Sequence, residues 1–251
     1  MHGILALSAL HLSHLHQDGR QTAWLDIAIA HKSTALSMFS DQLHNISESN
    51  AKAMVSFASL AVAFSFASAL NCHDPADGPS LRALIDVFTL ARGVQTVVNG
   101  ATEFLRQSNY APLFNITVPE VNIPDHVLAA FDRLDNLNNQ CSQQSSTHNK
   151  TPYERAITNL RELVVFTYAE PNSLTMAAGW AIRAPVDYLS GLKNYEPLAL
   201  VVLAHYCAFL HLARENWCAG TWGRSVLEEI VQTLDPNWQC HIDWAIKQVT
   251  E

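Results

Sequence analysis

The sequence predicts an all-α protein, a single bundle-like domain of about ten helices over residues 1–251 around an apolar core or cavity. Apolar residues recur at spacings of three and four along most of the chain. The segment closest to strand alternation, Phe114 to Ile123, is interrupted by Pro119. A composition that is 49% hydrophobic and 15% charged favours a large folded core over disorder.

Three helical patterns occupy the first part of the chain, over residues 3–16, 22–43 and 51–70. The third is uncharged from Ala53 onward and is as long as a membrane span. It is also rich in Ala and Ser, and a helix that is apolar on all sides is typical of the centre of a large bundle. We therefore expect a core helix here and no membrane span.

The next helix has a capping residue at its start, because Ser80 precedes an apolar face that runs from Leu81 to Val98. Gly93 and Gly100 interrupt this face and indicate close packing or a kink. Prolines bracket an irregular connection to a shorter helix over residues 125–137. Residues 138–150 are almost entirely polar, and we predict that they form a mobile loop within the single domain.

Proline marks most helix boundaries in the last part of the chain. The segment Thr151 to Glu154 matches a capping box, and Pro185 is expected to kink or split a helix over residues 174–189. Pro197 opens an almost wholly apolar helix, and Asp235 with Pro236 starts the last one. The first helix predicted here starts at Pro152 and ends at Glu170-Pro171, with an apolar face from Tyr153 to Tyr168. The others cover residues 174–189, 198–213, 222–234 and 236–249.

Charge and cysteine content limit the classes of function. The net charge is −8, and the 15 Lys and Arg residues are scattered, so we expect no direct contact with nucleic acid. The five cysteines are odd in number and form no C-x-x-C motif, which indicates free thiols in a reducing, intracellular setting, cytoplasmic or nuclear. No nucleotide-binding loop, hydrolase elbow or metalloprotease motif occurs, and we expect no cofactor and no metal.

Polar side chains inside apolar helices are the candidates for chemistry. His205 and Tyr206 lie within the apolar helix that follows Pro197, either as satisfied core residues or as donors that line a pocket. Arg92 and Arg183 stand among apolar neighbours, where a structural ion pair or backbone contact is favoured over ligand binding. His11 and His14 share a helix face, but no further ligand stands at metal spacing beside them, so ordinary surface histidines are favoured.

The aromatic residues lie at helical spacing, which makes core packing the default interpretation. Helices rich in Ala and Ser leave room for an apolar cavity between layers, however, and aromatic side chains would then line it. The candidate ligand-binding residues are Phe57, Phe64, Phe88, Arg92, Trp180, His205, Tyr206, Phe209 and Trp222.

Several segments resemble a known family when they are taken in order. These are Met1 to Leu12 (MHGILALSALHL), Ala30-His31 with Ala35-Leu36 and Phe39, Leu90 to Val94 (LARGV), Pro197 to Tyr206, Trp217 with Gly220 and Trp222, and Asp243-Trp244. Together they resemble the C-terminal regulatory domain of fungal zinc-cluster transcription factors, a family that includes the sterol uptake control regulators of yeasts. The resemblance implies an all-α, often dimeric regulatory domain with an apolar sterol pocket, and it supplies no catalytic residues. The family's six-cysteine zinc cluster is not in this sequence, so the chain is either a fragment of a longer regulator or begins at a true Met1.

Three functions follow from these observations. The first is a regulatory domain that binds a sterol or another terpenoid-like apolar molecule. The second is an enzyme of fungal secondary metabolism on the same scaffold, a cyclase or a pericyclase such as a Diels-Alderase, with His205, Tyr206 and Arg92 as the first residues to test. The third is an interaction module that forms a homodimer or docks a coactivator through exposed helices.

Overall fold

The structure, a computed structural model, describes residues 1–16, 18–71, 78–114 and 117–250, apart from the side chains of residues 113 and 175–177. Over these residues it contains twelve α-helices and no strand, which confirms the predicted all-α class. A 3-10 turn lies at Ala111–Phe114. The helices are α1 (His2–Leu15), α2 (Gln21–Gln42), α3 (Ala51–Leu70), α4 (Leu81–Arg106), α5 (Asp125–Gln144), α6 (Lys150–Ala169), α7 (Leu174–Arg183), α8 (Val186–Lys193), α9 (Pro197–Leu212), α10 (Trp222–Thr233), α11 (Pro236–Gln239) and α12 (Asp243–Thr250).

The chain divides into two compact units. Unit 1 comprises Met1–Gly78 and Leu90–Thr117, and unit 2 comprises Pro79–Thr89 and Val118–Glu251. The helix α4 contributes its first residues to unit 2 and its remainder to unit 1. The expectation of one domain over residues 1–251 stays a prediction, and each unit is described by itself.

In unit 1, α1 packs against both α2 and α3. The Oγ of Ser13 donates to the carbonyl of Gln21 at 3.1 Å, and Nδ1 of His2 lies 2.9 Å from Nδ1 of His31. These two pairs show that α2 runs back along α1 in the opposite direction. Only the small side chains of Ala28 and Ala35 are buried on α2. Much of the apolar surface of this helix therefore faces solvent.

In unit 2, α9 is the central helix, and α6, α7, α8, α10 and α12 all pack against it. Every residue from Leu198 to Leu210 is buried. This arrangement explains why the sequence of α9 is apolar all round, because a helix covered on every side has no polar face. The other apolar helix, α3, is buried at eight of its positions and exposes Lys52 and Ala53.

Most helix ends follow the predicted signals. The Oγ of Ser80 accepts a hydrogen bond from the amide of Ala83 at 3.1 Å, and Pro185 separates α7 from α8. Pro197 occupies the first turn of α9, and Oδ1 of Asp235 accepts from the amide of Asn237 at 3.1 Å. The predicted capping box at Thr151 is not used, because α6 begins at Lys150, two residues before the predicted first helical residue Pro152.

The predicted polar loop at residues 138–150 is shorter in the structure, because α5 continues to Gln144. Asn138 is buried, which keeps the helix packed beyond the last predicted apolar residue. Its side-chain amide donates to the carbonyl of Lys150 at 3.1 Å, and its Oδ1 lies 2.8 Å from Nε2 of His148. The side chain of Asn138 therefore links α5 both to His148 of the connection and to Lys150, the first residue of α6.

By length and composition, α3 could cross a membrane, and the bent pair α8 and α9 would also qualify if it were one span. Buried helices of globular proteins meet the same criterion, so the finding is weak evidence for a span. The buried residues of α3 include Phe64, Phe66 and Ala67, which agrees with the core role that the sequence predicts.

Candidate functional site

An apolar groove in unit 1 is lined by residues of α1, α2 and α3 and has a volume of about 410 Å³. We call it the α1–α3 groove. Its apolar residues come from all three helices, and the polar side chains of His2, Gln42, Asn50 and Ser56 also contribute to its lining. The apolar lining consists of Met1, Ile4, Ala35, Met38, Phe39, Ala53, Met54, Phe57 and Leu60.

A second, smaller pocket of about 210 Å³ shares Gly3, Phe57 and Leu60 with the α1–α3 groove. We call it the Lys32 pocket. Phe64, Leu36 and Leu90 are among its other lining residues. Because the two spaces have three wall residues in common, they are adjacent compartments of one apolar region within unit 1.

The wall between the two compartments depends on a glycine. A Cβ atom at Gly3 would lie 2.7 Å from Cδ2 of Phe57, which is closer than real Cβ contacts come. The absence of a side chain at Gly3 therefore lets α1 approach the Phe57 ring on α3. The same ring lies 5.0 Å, centroid to centroid, from the ring of Phe39 on α2.

Lys32 is the cation that lines the smaller pocket. Its Nζ lies 4.7 Å from the centroid of the Phe64 ring, a cation–π contact. Partial burial lowers the pKa of Lys32 from its ordinary value of 10.5. In the described part of the chain, no carboxylate lies within 4.0 Å of this ammonium group.

In unit 2, Phe88, Trp180 and Tyr206 form one aromatic cluster. The Phe88 ring lies 5.3 Å from Trp180 and 5.5 Å from Tyr206, both edge-on, and the Trp180 and Tyr206 rings are 4.8 Å apart. All three are fully buried, and the indole N–H of Trp180 donates to the carbonyl of Ala156 at 2.9 Å. These contacts are those of a packed core.

Burial governs the chemistry of Tyr206. The hydroxyl of Tyr206 has no hydrogen-bond partner among the side chains and backbone that the structure describes. Burial raises the pKa of this phenol far above its usual range, with a smaller contribution from Cys207. The Tyr206 phenol is therefore neutral at physiological pH.

His205 occupies the wall of a different cleft, which has a volume of about 330 Å³ and is also lined by Arg133, His241 and Trp244. Its Nδ1–H donates to the carbonyl of Val201 at 2.9 Å, and its ring stacks 5.2 Å from Trp244. Burial lowers the pKa of His205 to about 4, so the ring is neutral at physiological pH. Because the single N–H of the neutral ring is used by Val201, Nε2 of His205 is left as an acceptor. A role for His205 in ligand binding stays a prediction.

The described cysteines are free thiols. Burial raises the pKa of Cys207 well above its usual range and that of Cys218 to about 12, so both are unreactive. Cys72 lies outside the described residues. Among the described residues, no group of three His, Cys, Asp or Glu side chains is arranged to hold a metal ion.

A comparison with protein-family models identifies the family of the chain. A model described as the fungal specific transcription factor domain matches residues 1–164, about two-thirds of the 251 residues. The chain belongs to this family. The resemblance to fungal transcription factor regulatory domains is thereby confirmed. No curated protein and no solved structure matches the chain.

The match to the fungal specific transcription factor domain covers every residue of the α1–α3 groove and of the Lys32 pocket. At the level the match supports, the function is that of a regulatory domain of fungal transcription factors. The helices α7 to α12, which contain Trp180, His205 and Tyr206, lie outside the matched residues.

The predicted ligand-binding residues of this transcription factor domain do not form one site: some line different pockets, and others are buried in the core. Phe57 lines both unit 1 compartments, Phe64 lines the Lys32 pocket, and His205 lines the cleft of unit 2. Phe209 packs against Phe131 and Trp244, and Trp222 is fully buried. Arg92 is half-buried in unit 1, and no carboxylate in the described residues pairs with it. Arg183, by contrast, makes the predicted ion pair, with Glu162 at 3.5 Å.

Sequence reasoning missed the residues of the α1–α3 groove and of the Lys32 pocket other than Phe57 and Phe64. Gly3, Met38, Met54 and Leu60 look like ordinary helix residues in the sequence. The sequence feature that could have indicated this site is Lys32. It is a charged residue four positions before Leu36 and seven before Phe39, on an otherwise apolar face of α2.

Proposed function

We propose that this regulatory domain binds a sterol or another terpenoid-like apolar molecule in the α1–α3 groove, and that occupancy of the groove regulates the transcription factor. The observation that carries this proposal is the groove itself, with its volume of about 410 Å³ and its predominantly apolar lining. Pockets for small molecules are typically about 300–1,000 Å³, apolar, and fitted with a few polar groups.

The composition of the groove supports an apolar ligand. Met38 and Met54 have flexible, polarizable side chains that adapt to irregular hydrophobic shapes. Phe39 and Phe57 add flat apolar faces, and the polar side chain of Asn50 could accept or donate a hydrogen bond to a ligand hydroxyl. A sterol or terpenoid alcohol has this combination of a large apolar body and one hydroxyl.

The exposure of the groove also supports a ligand. Ile4 is 56% exposed and Met38 is 60% exposed, although both belong to its apolar wall. Covering apolar surface releases about 25 cal/mol for each Å² removed from water. A bound apolar molecule would therefore stabilise the folded chain in proportion to its affinity.

The family relationship supports the regulatory part of the proposal and an intracellular location, in the cytoplasm, the nucleus or both. Ligand binding would act on transcription through the rest of the regulator. The chain would itself make no contact with DNA, because its basic residues are scattered and its net charge is −8.

The test is a thermal-shift titration of the chain with ergosterol, cholesterol, farnesol and a matched detergent blank. We expect at least one of these ligands to raise the melting temperature saturably. The variant Met38→Gln should weaken that binding roughly tenfold, since it places an amide in the apolar wall. An unchanged melting temperature with every ligand would contradict the proposal.

The matched control is Ile29→Gln. Ile29 lies on the same helix, is 49% exposed and does not line the groove. Both variants place the same amide at an exposed apolar position of α2, so their effects on folding should be similar. If Ile29→Gln weakened ligand binding as much as Met38→Gln does, the binding site would lie elsewhere.

A further inference from the structure

We propose that the ligand of this domain carries an anionic head group, a carboxylate, which pairs with Lys32 while its apolar body lies in the α1–α3 groove. The ligand class is an apolar monocarboxylate, such as a terpenoid or fatty acid. This inference rests on the proposed function, because it assigns the polar end of the molecule that the groove binds.

The surroundings of Lys32 are those of a site for an anion. The pocket around it is lined mainly by residues whose side chains cannot accept a hydrogen bond, among them Leu36, Leu60 and Ala61. Ser65 contributes the one hydroxyl of this lining, and its Oγ donates to the carbonyl of Ala61 at 3.0 Å. The Phe64 ring at 4.7 Å stabilises the cation through its face, but a ring face does not neutralise its charge as a carboxylate would.

The electrostatics agree with this geometry. A charge that is taken out of water is costly unless it is paired. Within the described residues, Lys32 has no carboxylate within 4.0 Å, and desolvation is the cause of its lowered pKa. A ligand carboxylate would restore the missing pairing and would form a charge-assisted hydrogen bond, the stronger kind.

The position of Lys32 fits an elongated molecule. Lys32, Ala35 and Phe39 lie on one face of α2, at spacings of three and seven residues. At 1.5 Å per residue, Lys32 and Phe39 are about 10 Å apart along the helix axis. A head group at Lys32 and a tail beside Phe39 would pass the shared wall residues Gly3, Phe57 and Leu60, which join the two compartments.

The experiment compares acids with the alcohols of the same carbon skeleton, using the full chain and isothermal titration calorimetry. The probes are farnesoic acid with farnesol, and dodecanoic acid with dodecanol. We expect the wild-type chain to bind each acid at least tenfold more tightly than its alcohol. Lys32→Met should abolish this preference and leave the affinity for the alcohols within about twofold, because the apolar walls are retained.

Two further variants make the result specific. Lys52→Met removes an exposed lysine of α3 outside both compartments, and it should retain the acid preference. Lys32→Arg should retain part of it, since a guanidinium also pairs with a carboxylate. The Lys32→Met variant should fold with an equal or higher melting temperature, because it removes a partly desolvated charge.

Each outcome distinguishes this inference from the function on which it rests. Equal affinity of the wild-type chain for acid and alcohol, or equal loss of both in Lys32→Met, overturns the carboxylate proposal while the groove remains a binding site. Binding of none of the probes and none of the sterols overturns both. Loss of acid preference in Lys52→Met would show a general charge effect and would also overturn the assignment to Lys32.

Discussion

Gly223 on α10 lies so close to Cys207 on α9 that a Cβ atom at its position would be 2.5 Å from the Cys207 carbonyl oxygen. The amide nitrogen of His211, one turn further along α9, would be 2.7 Å away. Both contacts are with the backbone of the central helix, which cannot rotate aside as a side chain can. The glycine therefore allows α10 to pack directly on the backbone of α9.

We expect Gly223→Ala to lower the free energy of unfolding by about 1–3 kcal/mol, because the added methyl group must force α9 and α10 apart. The matched control is Gly93→Ala on α4, where an added Cβ meets no described atom within 4 Å. That substitution should raise the stability by about 0.5–1 kcal/mol, the usual gain of Ala over Gly within a helix. Urea denaturation measures both, and a stabilised Gly223→Ala would contradict the close packing.

Two buried tyrosines should respond differently to loss of the hydroxyl. Tyr188 donates to the carbonyl of Ala199 at 3.1 Å, so Tyr188→Phe should cost about 1 kcal/mol because it removes that bond. Tyr206 makes no such bond within the described residues, so Tyr206→Phe should change the unfolding free energy by less than about 0.5 kcal/mol or should stabilise the chain. A cost for Tyr206→Phe as large as that for Tyr188→Phe would reveal a partner for its hydroxyl.

The stability of the chain should depend on pH through His205. Burial, and secondarily the positive charges of Arg133 and His241, lower the pKa of His205 from 6.5 to about 4, while its bond to Val201 acts in the opposite direction. A folded-state pKa below the unfolded one means that the unfolded chain binds the proton more tightly. The stabilisation is therefore present at pH 7 and is lost progressively as the pH falls from about 6.5 towards 4.

Between pH 7 and pH 5 this loss should be about 2 kcal/mol. His205→Asn keeps a side-chain donor for the Val201 carbonyl and removes the titrating ring. The difference in unfolding free energy between the two pH values should therefore be smaller in the variant by about that amount. Urea denaturation at each pH provides the four values, and an identical pH dependence in both proteins would show that His205 is not the responsible group.

Asn138 should control the connection between α5 and α6. Asn138→Ala removes both bonds of this buried amide and should cost about 1–3 kcal/mol, while exposing residues 145–149 to proteolysis. Asn136→Ala, an exposed position of the same helix, should change the stability by less than about 0.5 kcal/mol. Equal proteolysis rates in the two variants would mean that the connection is mobile already, as the sequence predicts for residues 138–150.

The helices could be predicted because their signals are local. Ser80, Pro185, Pro197 and Asp235 act on backbone groups within one turn of themselves, so the sequence places these boundaries correctly. The end of α5 was placed too early, since residues 138–144 are polar and only the burial of Asn138 shows why the helix continues. That burial depends on Lys150 and His148, which the helical pattern of α5 does not contain.

The candidate site was harder to predict than the helices. The candidate ligand-binding residues were chosen mainly because they are aromatic, and aromatic residues occur both in packed cores and in pockets. Phe57 lines the groove, whereas Phe88 and Trp180 are packed inside unit 2. Residue type does not distinguish these cases, because both environments are apolar.

The amino-acid sequence was sufficient for the all-helical class, the helix boundaries marked by proline and capping residues, and the resemblance to fungal transcription factor regulatory domains. Tertiary structure decided which apolar helix became central and which apolar surface stayed open. It buried α9 on every side, brought Gly3, Lys32 and Phe57 to one place, and left the Lys32 ammonium without a described carboxylate. The physical reason is that backbone signals act within a turn of helix, whereas burial and charge pairing depend on residues that are distant in the chain.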